Sequence, residues 1–207
     1  MDQAVRPDAL GLPSTQADER PGSIVIGRHG RPKGDRTTKI DWRGYEVWWA
    51  EYDRSGLSEG QSPPANLLAE ARRADVIFAS TLPRAIETAR AIAGDKDVVT
   101  DPIFVEAPLP PPHVWGKRSP RHWGVWARIS WWLGSSHGGE SRQHAEVRAE
   151  AAAATLTSHA LRGENVVLLA HGWFNRMMRP VLKRAGWRCV EDGGDEYWSY
   201  RRYEYQR

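Results

Sequence analysis

The sequence predicts an α/β protein, a three-layer α/β/α sandwich with a mostly parallel central sheet. Three observations carry this reading. Short β-rich runs at 23–27, 75–79, 98–105 and 165–170 are each too short to be a lone helix. Stretches with helical periodicity separate them, and strands alternating with helices build a sheet covered on both faces. Each run also leads into polar residues that could handle a phosphate, and in open α/β sheets ligands bind outside the carboxyl ends of the strands.

Taken in order, 23–27 is a buried strand, and 75–79 is a second. The helix at 83–93 begins with Pro83, carries Ile86, Ala89 and Ala93 on one stripe, and stops at Gly94. The third strand, 98–105, leads into a Pro-rich segment at 108–112 that is excluded from helix and central strand. A long helix follows at 141–162, with Val147, Ala151, Ala154 and Leu161 on one face and Gly163 as its stop. After the strand at 165–170 comes a helix at 174–185, expected to kink at Pro180 and stop at Gly186. Segments 187–190 and 197–205 flank the acidic turn 191–196, a hairpin expected at a sheet edge.

The length of 207 residues and 40% hydrophobic content suit one domain with one core. Residues 1–22 are expected to be a flexible tail without a signal-like apolar region, and 23–207 a single domain with insertions at about 36–56 and 108–137. No run of about 18 apolar residues exists, so no transmembrane segment is expected and the protein is read as cytoplasmic. The single Cys189 excludes an internal disulfide and is read as a small buried hydrophobe. A net charge of +3 argues only mildly for anionic partners, and the scattered basic residues match no nucleic-acid motif.

The chemistry gathers at the strand ends: Arg28-His29-Gly30, Ser80-Thr81 with Arg84, Glu106, and His171-Gly172. In a mostly parallel sheet these ends meet in one pocket. Two guanidinium forks suit a dianionic phosphoryl group better than lysines do.

Arg28-His29-Gly30 after a strand resembles the signature of the histidine phosphatase (phosphoglycerate mutase-like) superfamily. Leu57-Ser58-Glu59-Gly60-Gln61, the segment Ser80 to Ala89, Gly139-Glu140-Ser141 and Leu169-Ala170-His171-Gly172 resemble its further motifs, in family order. The resemblance implies a phosphatase that hydrolyses a phosphate monoester of a small molecule. His29 is the nucleophile that becomes phosphorylated, and Arg28, Arg84 and His171 hold the phosphoryl oxygens. Glu106 is implied as general acid, with Asp35, Asp53 and Glu140 as alternatives. Gly30, Ser80 and Gly172 are expected to line the substrate site, and Arg31 and Trp115 to touch the substrate. No metal and no cofactor are implied. The continuation Arg31-Pro32-Lys33-Gly34-Asp35 departs from that of the mutases, which disfavours a phosphomutase. A third reading is a binding module that keeps the anion pocket and acts through its tryptophans.

Eleven tryptophans are far above ordinary usage. Trp42, Trp48 and Trp49 follow the first motif, and Trp115, Trp123, Trp126, Trp131 and Trp132 follow Glu106. A shared lid over the pocket is the first reading. An interface, such as that of a homodimer, is the second, followed by a membrane-surface contact and core packing.

Overall fold

Strand β1 (Ile24–Arg28) and strand β4 (Val166–Ala170) pair in parallel at the centre of the sheet, from Ile24 against Val166 to Arg28 against Ala170. The computed structural model describes residues 20–206, so the expected tail at 1–22 lies outside the described residues except for its last three. Strand β2 (Val76–Ala79) pairs parallel with β4 on the other side and with the short edge strand β3 (Val98–Thr100). Strands β5 (Trp187–Asp192) and β6 (Tyr200–Tyr205) form an antiparallel hairpin, and β6 joins β1. The six-stranded order is β3-β2-β4-β1-β6-β5.

Alternation along the strands sorts their side chains into two cores. Ile24, Ile26, Val166 and Leu168 pack with α5 (Arg142–Leu161) and α6 (Gly172–Arg184) on one face. Val25, Ile77, Val167 and Leu169 pack with α2 (Ala65–Arg73) and α3 (Pro83–Ala93) on the other. The three-layer sandwich follows, with β4 buried along its whole length.

Several elements depart from the sequence reading. The third strand ends at Thr100, because the Asp101 side chain accepts from Ile103 N and Pro102 opens a short 3-10 turn through Phe104. Strand β5 runs through Glu191 and Asp192 of the expected turn, and β6 starts only at Tyr200. The last helix starts at Gly172 and continues through Pro180 to Arg184. Cys189, expected inside, is exposed, because the edge strand β5 has no layer over that position.

Both expected insertions contain a helix that periodicity had not revealed: α1 (Trp42–Arg54) and α4 (Pro120–Trp132). Asp41 caps α1 by accepting from Gly44 N at 2.8 Å. Backbone bonds between Ile40 and Arg118, at 2.8 and 2.9 Å, tie the two insertions together. Tyr45 and Trp123 are buried between them, with Trp42, Trp48 and Trp49 packed around, and the Trp123 indole donates to Ile40 O at 2.7 Å. Trp131 is buried against Ala107 and Ala145 in a separate cluster. Much of the aromatic excess therefore supplies small cores for the insertions.

Candidate active site

The parallel strands β1, β2 and β4 end side by side, and the residues after them meet. The His29 and His171 ring centroids are 5.0 Å apart, with the planes at 59°. His29 is buried, and its Nδ1 lies 2.6 Å from the Gly30 carbonyl. A carbonyl only accepts, so Nδ1 carries the proton and Nε2 keeps its lone pair. Burial, and after it the charges of Arg84, Arg28 and Arg36, hold the His29 pKa well below the usual imidazole range, against the opposing bond to Gly30 O. A buried, neutral imidazole with a free nitrogen has the form of a nucleophile.

Glycine at position 30 is required by packing, since a Cβ there would come within 2.5 Å of the Trp198 indole. Its N–H donates to Thr88 Oγ1 at 2.9 Å, and Thr88 in turn donates to Arg84 O, so α3 is tied to the first motif. His171 is fully buried, with Nε2 2.6 Å from Ser80 Oγ. Its pKa is also lowered well below the usual range, first by burial, then by His29 and the arginines.

Arg84 sits in the first turn of α3 and is 1% exposed. Its Nη1 donates to Tyr52 O at 2.9 Å and its Nη2 to Asp53 Oδ1 at 3.0 Å. Arg28 donates from Nη1 to Asp195 O at 2.5 Å and lies over the Tyr197 ring, 4.2 Å from its centroid. The Asp195 carboxylate pairs with Arg176, Arg179 and Arg201, which fixes the acidic loop against α6 and β6. Gly172, at the start of α6, lets the helix approach Arg28: a Cβ there would lie 3.2 Å from Arg28 Nε.

Within this cluster three buried nitrogens have no protein partner: Arg28 Nε, Arg84 Nε and His171 Nδ1. A buried polar group left unpaired costs about 1–3 kcal/mol. The guanidinium nitrogens can only donate, so they suit an acceptor-rich group such as an anion.

Glu106 is half-buried and faces the start of α6. Its Oε1 accepts from Phe174 N at 2.8 Å and Ala107 N at 3.0 Å, and its Oε2 from Trp173 N at 3.2 Å. The carboxylate thus complements the positive end of a helix whose N-cap is His171. Asp53, one of the alternatives to Glu106, stands on Arg84, and burial raises its pKa, with Arg84 opposing. Asp35 is exposed and spends its carboxylate on Thr37 and Thr38, whereas Glu140 is held by both arms of Arg148.

The structure brings Arg28, His29, Gly30, Ser80, Arg84, His171 and Gly172 together, with Glu106 beside them on the α6 terminus. The Arg31 side chain is exposed, while its backbone N–H and C=O bind Gln61 and Ser58. Trp115 does not join the group. It is 97% exposed on the loop before α4, next to Gly116 with φ +107°. The sequence reading gives no site role to Thr88, Tyr52, Tyr197 or Arg36. Thr88 was within reach, four residues after Arg84 and so on the same helix face. Tyr197 carries no local signal, because its place over Arg28 and 5.6 Å from the His29 ring depends on the hairpin's return.

The fold and this cluster define an α/β/α protein with a buried histidine and arginine cluster at the carboxyl ends of its parallel strands. The chain belongs to the histidine phosphatase superfamily, whose branch 1 model matches residues 64–188. No curated protein sequence is significantly similar to it. Among solved structures, a mycobacterial glucosyl-3-phosphoglycerate phosphatase complexed with VO3 is similar at 22% identity and TM-score 0.58, covering 89% of this chain and 96% of that one. The product of an open reading frame of Mycobacterium tuberculosis is 20% identical, with TM-score 0.53 and 81% of each chain covered. A protein described as mycobacterial hydrolase 1 is 24% identical, with TM-score 0.52 over 80% of this chain and 82% of that one. Likeness at this level carries the fold.

Proposed function

We propose that the protein is a phosphatase that hydrolyses a phosphate monoester of a small molecule through a phosphohistidine on His29. The observation that carries this reading is the set of three buried, unpartnered nitrogens of Arg28, Arg84 and His171 around a neutral imidazole. His29 Nε2 attacks phosphorus, a P–N bond forms, and the P–O bond to the leaving group breaks. Arg28, Arg84 and His171 hold the equatorial oxygens as charge redistributes. Glu106 protonates the departing oxygen and then takes a proton from the water that cleaves the P–N bond, releasing inorganic phosphate. Membership of the superfamily and the fold shared with a relative solved with VO3 support the reading.

A panel of phosphate esters, run on wild type and on His29→Ala with trapping of acid-labile, base-stable phosphate, tests it. Wild type should release phosphate and accumulate one phosphohistidine, and His29→Ala should do neither while keeping its fold. Turnover by a folded His29→Ala protein would refute the assignment.

A further inference from the structure

A groove of about 550 Å³ opens between the two insertions, with Arg36 and Lys39 on one wall and Lys117, Arg118, Arg121 and Trp126 on the other. No acidic side chain lines it. None of its five Arg and Lys residues is ion-paired among the described residues, whereas elsewhere Arg73, Arg142, Arg176 and Arg202 are paired with carboxylates. The nearest acid in sequence, Asp35, has its carboxylate engaged by the Thr37 and Thr38 amides and the Thr37 hydroxyl. Like charges gathered without counter-charge repel one another, so the arrangement is destabilising until an anion enters.

The walls are held in place. Backbone bonds between Ile40 and Arg118 join them, and the Arg118 guanidinium stacks 4.6 Å from the Trp126 ring and 5.1 Å from that of Trp123. Arg36 connects the groove to the site: its Nη1 donates to the Tyr197 hydroxyl, and the Tyr197 ring lies 5.6 Å from the His29 ring. Arg36 is also among the charges that keep His29 neutral.

We infer that this groove holds further phosphoryl groups of the substrate, so that the protein acts on small organic molecules carrying several phosphates, one at His29 and the others along Arg36, Lys117 and Arg121. The inference rests on the phosphatase reading above and adds the substrate class to it. The volume is that of a small-molecule site, between about 300 and 1,000 Å³, rather than the long tract that tracks a nucleic-acid backbone.

The test uses short-chain linear polyphosphate and orthophosphate as competitive inhibitors of phenyl phosphate hydrolysis, on wild type and on the double variant Lys117→Glu/Arg121→Glu. In wild type, polyphosphate should inhibit at least about tenfold more tightly than orthophosphate at low salt, and the advantage should shrink as salt rises. The double variant should lose about tenfold or more of the polyphosphate affinity, with the orthophosphate constant and phenyl phosphate turnover within about twofold of wild type. Equal inhibition by the two anions in wild type would overturn the inference, as would a folded double variant that binds polyphosphate unchanged. Tighter binding of a single-stranded oligonucleotide that leaves phenyl phosphate turnover untouched would also overturn it, in favour of a nucleic-acid surface. Calorimetric titration with polyphosphate needs no turnover. Binding lost in the double variant of a protein inactive on every ester would therefore sink the phosphatase reading while leaving the anion groove standing.

Discussion

Arg84 spends both terminal nitrogens on neighbouring chain, donating to Tyr52 O and to the Asp53 carboxylate at 3.0 Å, while its Nε is left without a protein partner. Asp53 thus aims the guanidinium instead of competing for its free edge. Asp53→Ala should raise KM about tenfold by releasing the fork, whereas Asp53→Asn, which still accepts a hydrogen bond, should stay within about threefold. Steady-state kinetics on both variants decide this. Equal effects from Ala and Asn would remove the positioning role.

The same geometry sets the requirement for arginine. A lysine reaches with one ammonium and cannot bind Tyr52 O, Asp53 and an anion in one plane. Arg84→Lys and Arg84→Ala should therefore both lose about 10²-fold or more in kcat/KM, the scale of a lost transition-state donor. A near-wild-type Lys variant would show that charge alone is used there.

Glu106 is pinned by three backbone amides at the α6 terminus. Glu106→Gln should slow esters with poor leaving groups, such as alkyl phosphates, far more than activated aryl phosphates, because only the former need a proton on the departing oxygen. A uniform slowing of both classes would assign Glu106 to helix capping and leave the proton to another group.

The depressed pKa values of His29 and His171 make two pH predictions. Activity should hold below pH 6.5, because His29, the proposed nucleophile, stays unprotonated there, and kcat/KM against pH measures this. Stability has the opposite tendency. Below about 6.5 the unfolded chain takes up protons on both imidazoles that the folded chain refuses, so unfolding becomes easier as pH falls from 7 towards 5. The slope is at most about 1.4 kcal/mol per pH unit for each histidine. Urea unfolding of wild type and His171→Gln across that range should show a shallower slope in the variant.

Trp123 is fully buried and donates to Ile40 O, joining the insertions. Trp123→Ala should cost about 3–5 kcal/mol, whereas Trp115→Ala, at a side chain 97% exposed, should stay within about 0.5 kcal/mol. Thermal unfolding of the pair is the measurement, and a similar loss in both would contradict the packing role of Trp123.

Local pattern was enough for elements whose neighbours are near in sequence or whose side chains follow one period. Helix α3, with its proline start and glycine stop, lies where the sequence places it, as do the buried runs of β1, β2 and β4. Helices α1 and α4 escaped because their tryptophans face one another across two insertions, so the apolar stripe has meaning only once both are present. The end of β3 is set by the Asp101 carboxylate, which accepts from Ile103 N, and by Pro102, which opens the following turn.

By itself the sequence determined the layer order, the parallel strands and the four short motifs that follow them, since periodicity and residue chemistry are local properties. Tertiary structure alone decided which atoms of those motifs remain unpaired, that Asp53 rather than Asp35 stands on Arg84, and that Tyr197 returns from the hairpin to Arg28 and His29. The physical reason is that burial, hydrogen-bond satisfaction and like-charge crowding are sums over neighbours in space. Residues 53, 84 and 197 acquire those neighbours only when distant stretches of chain are packed together.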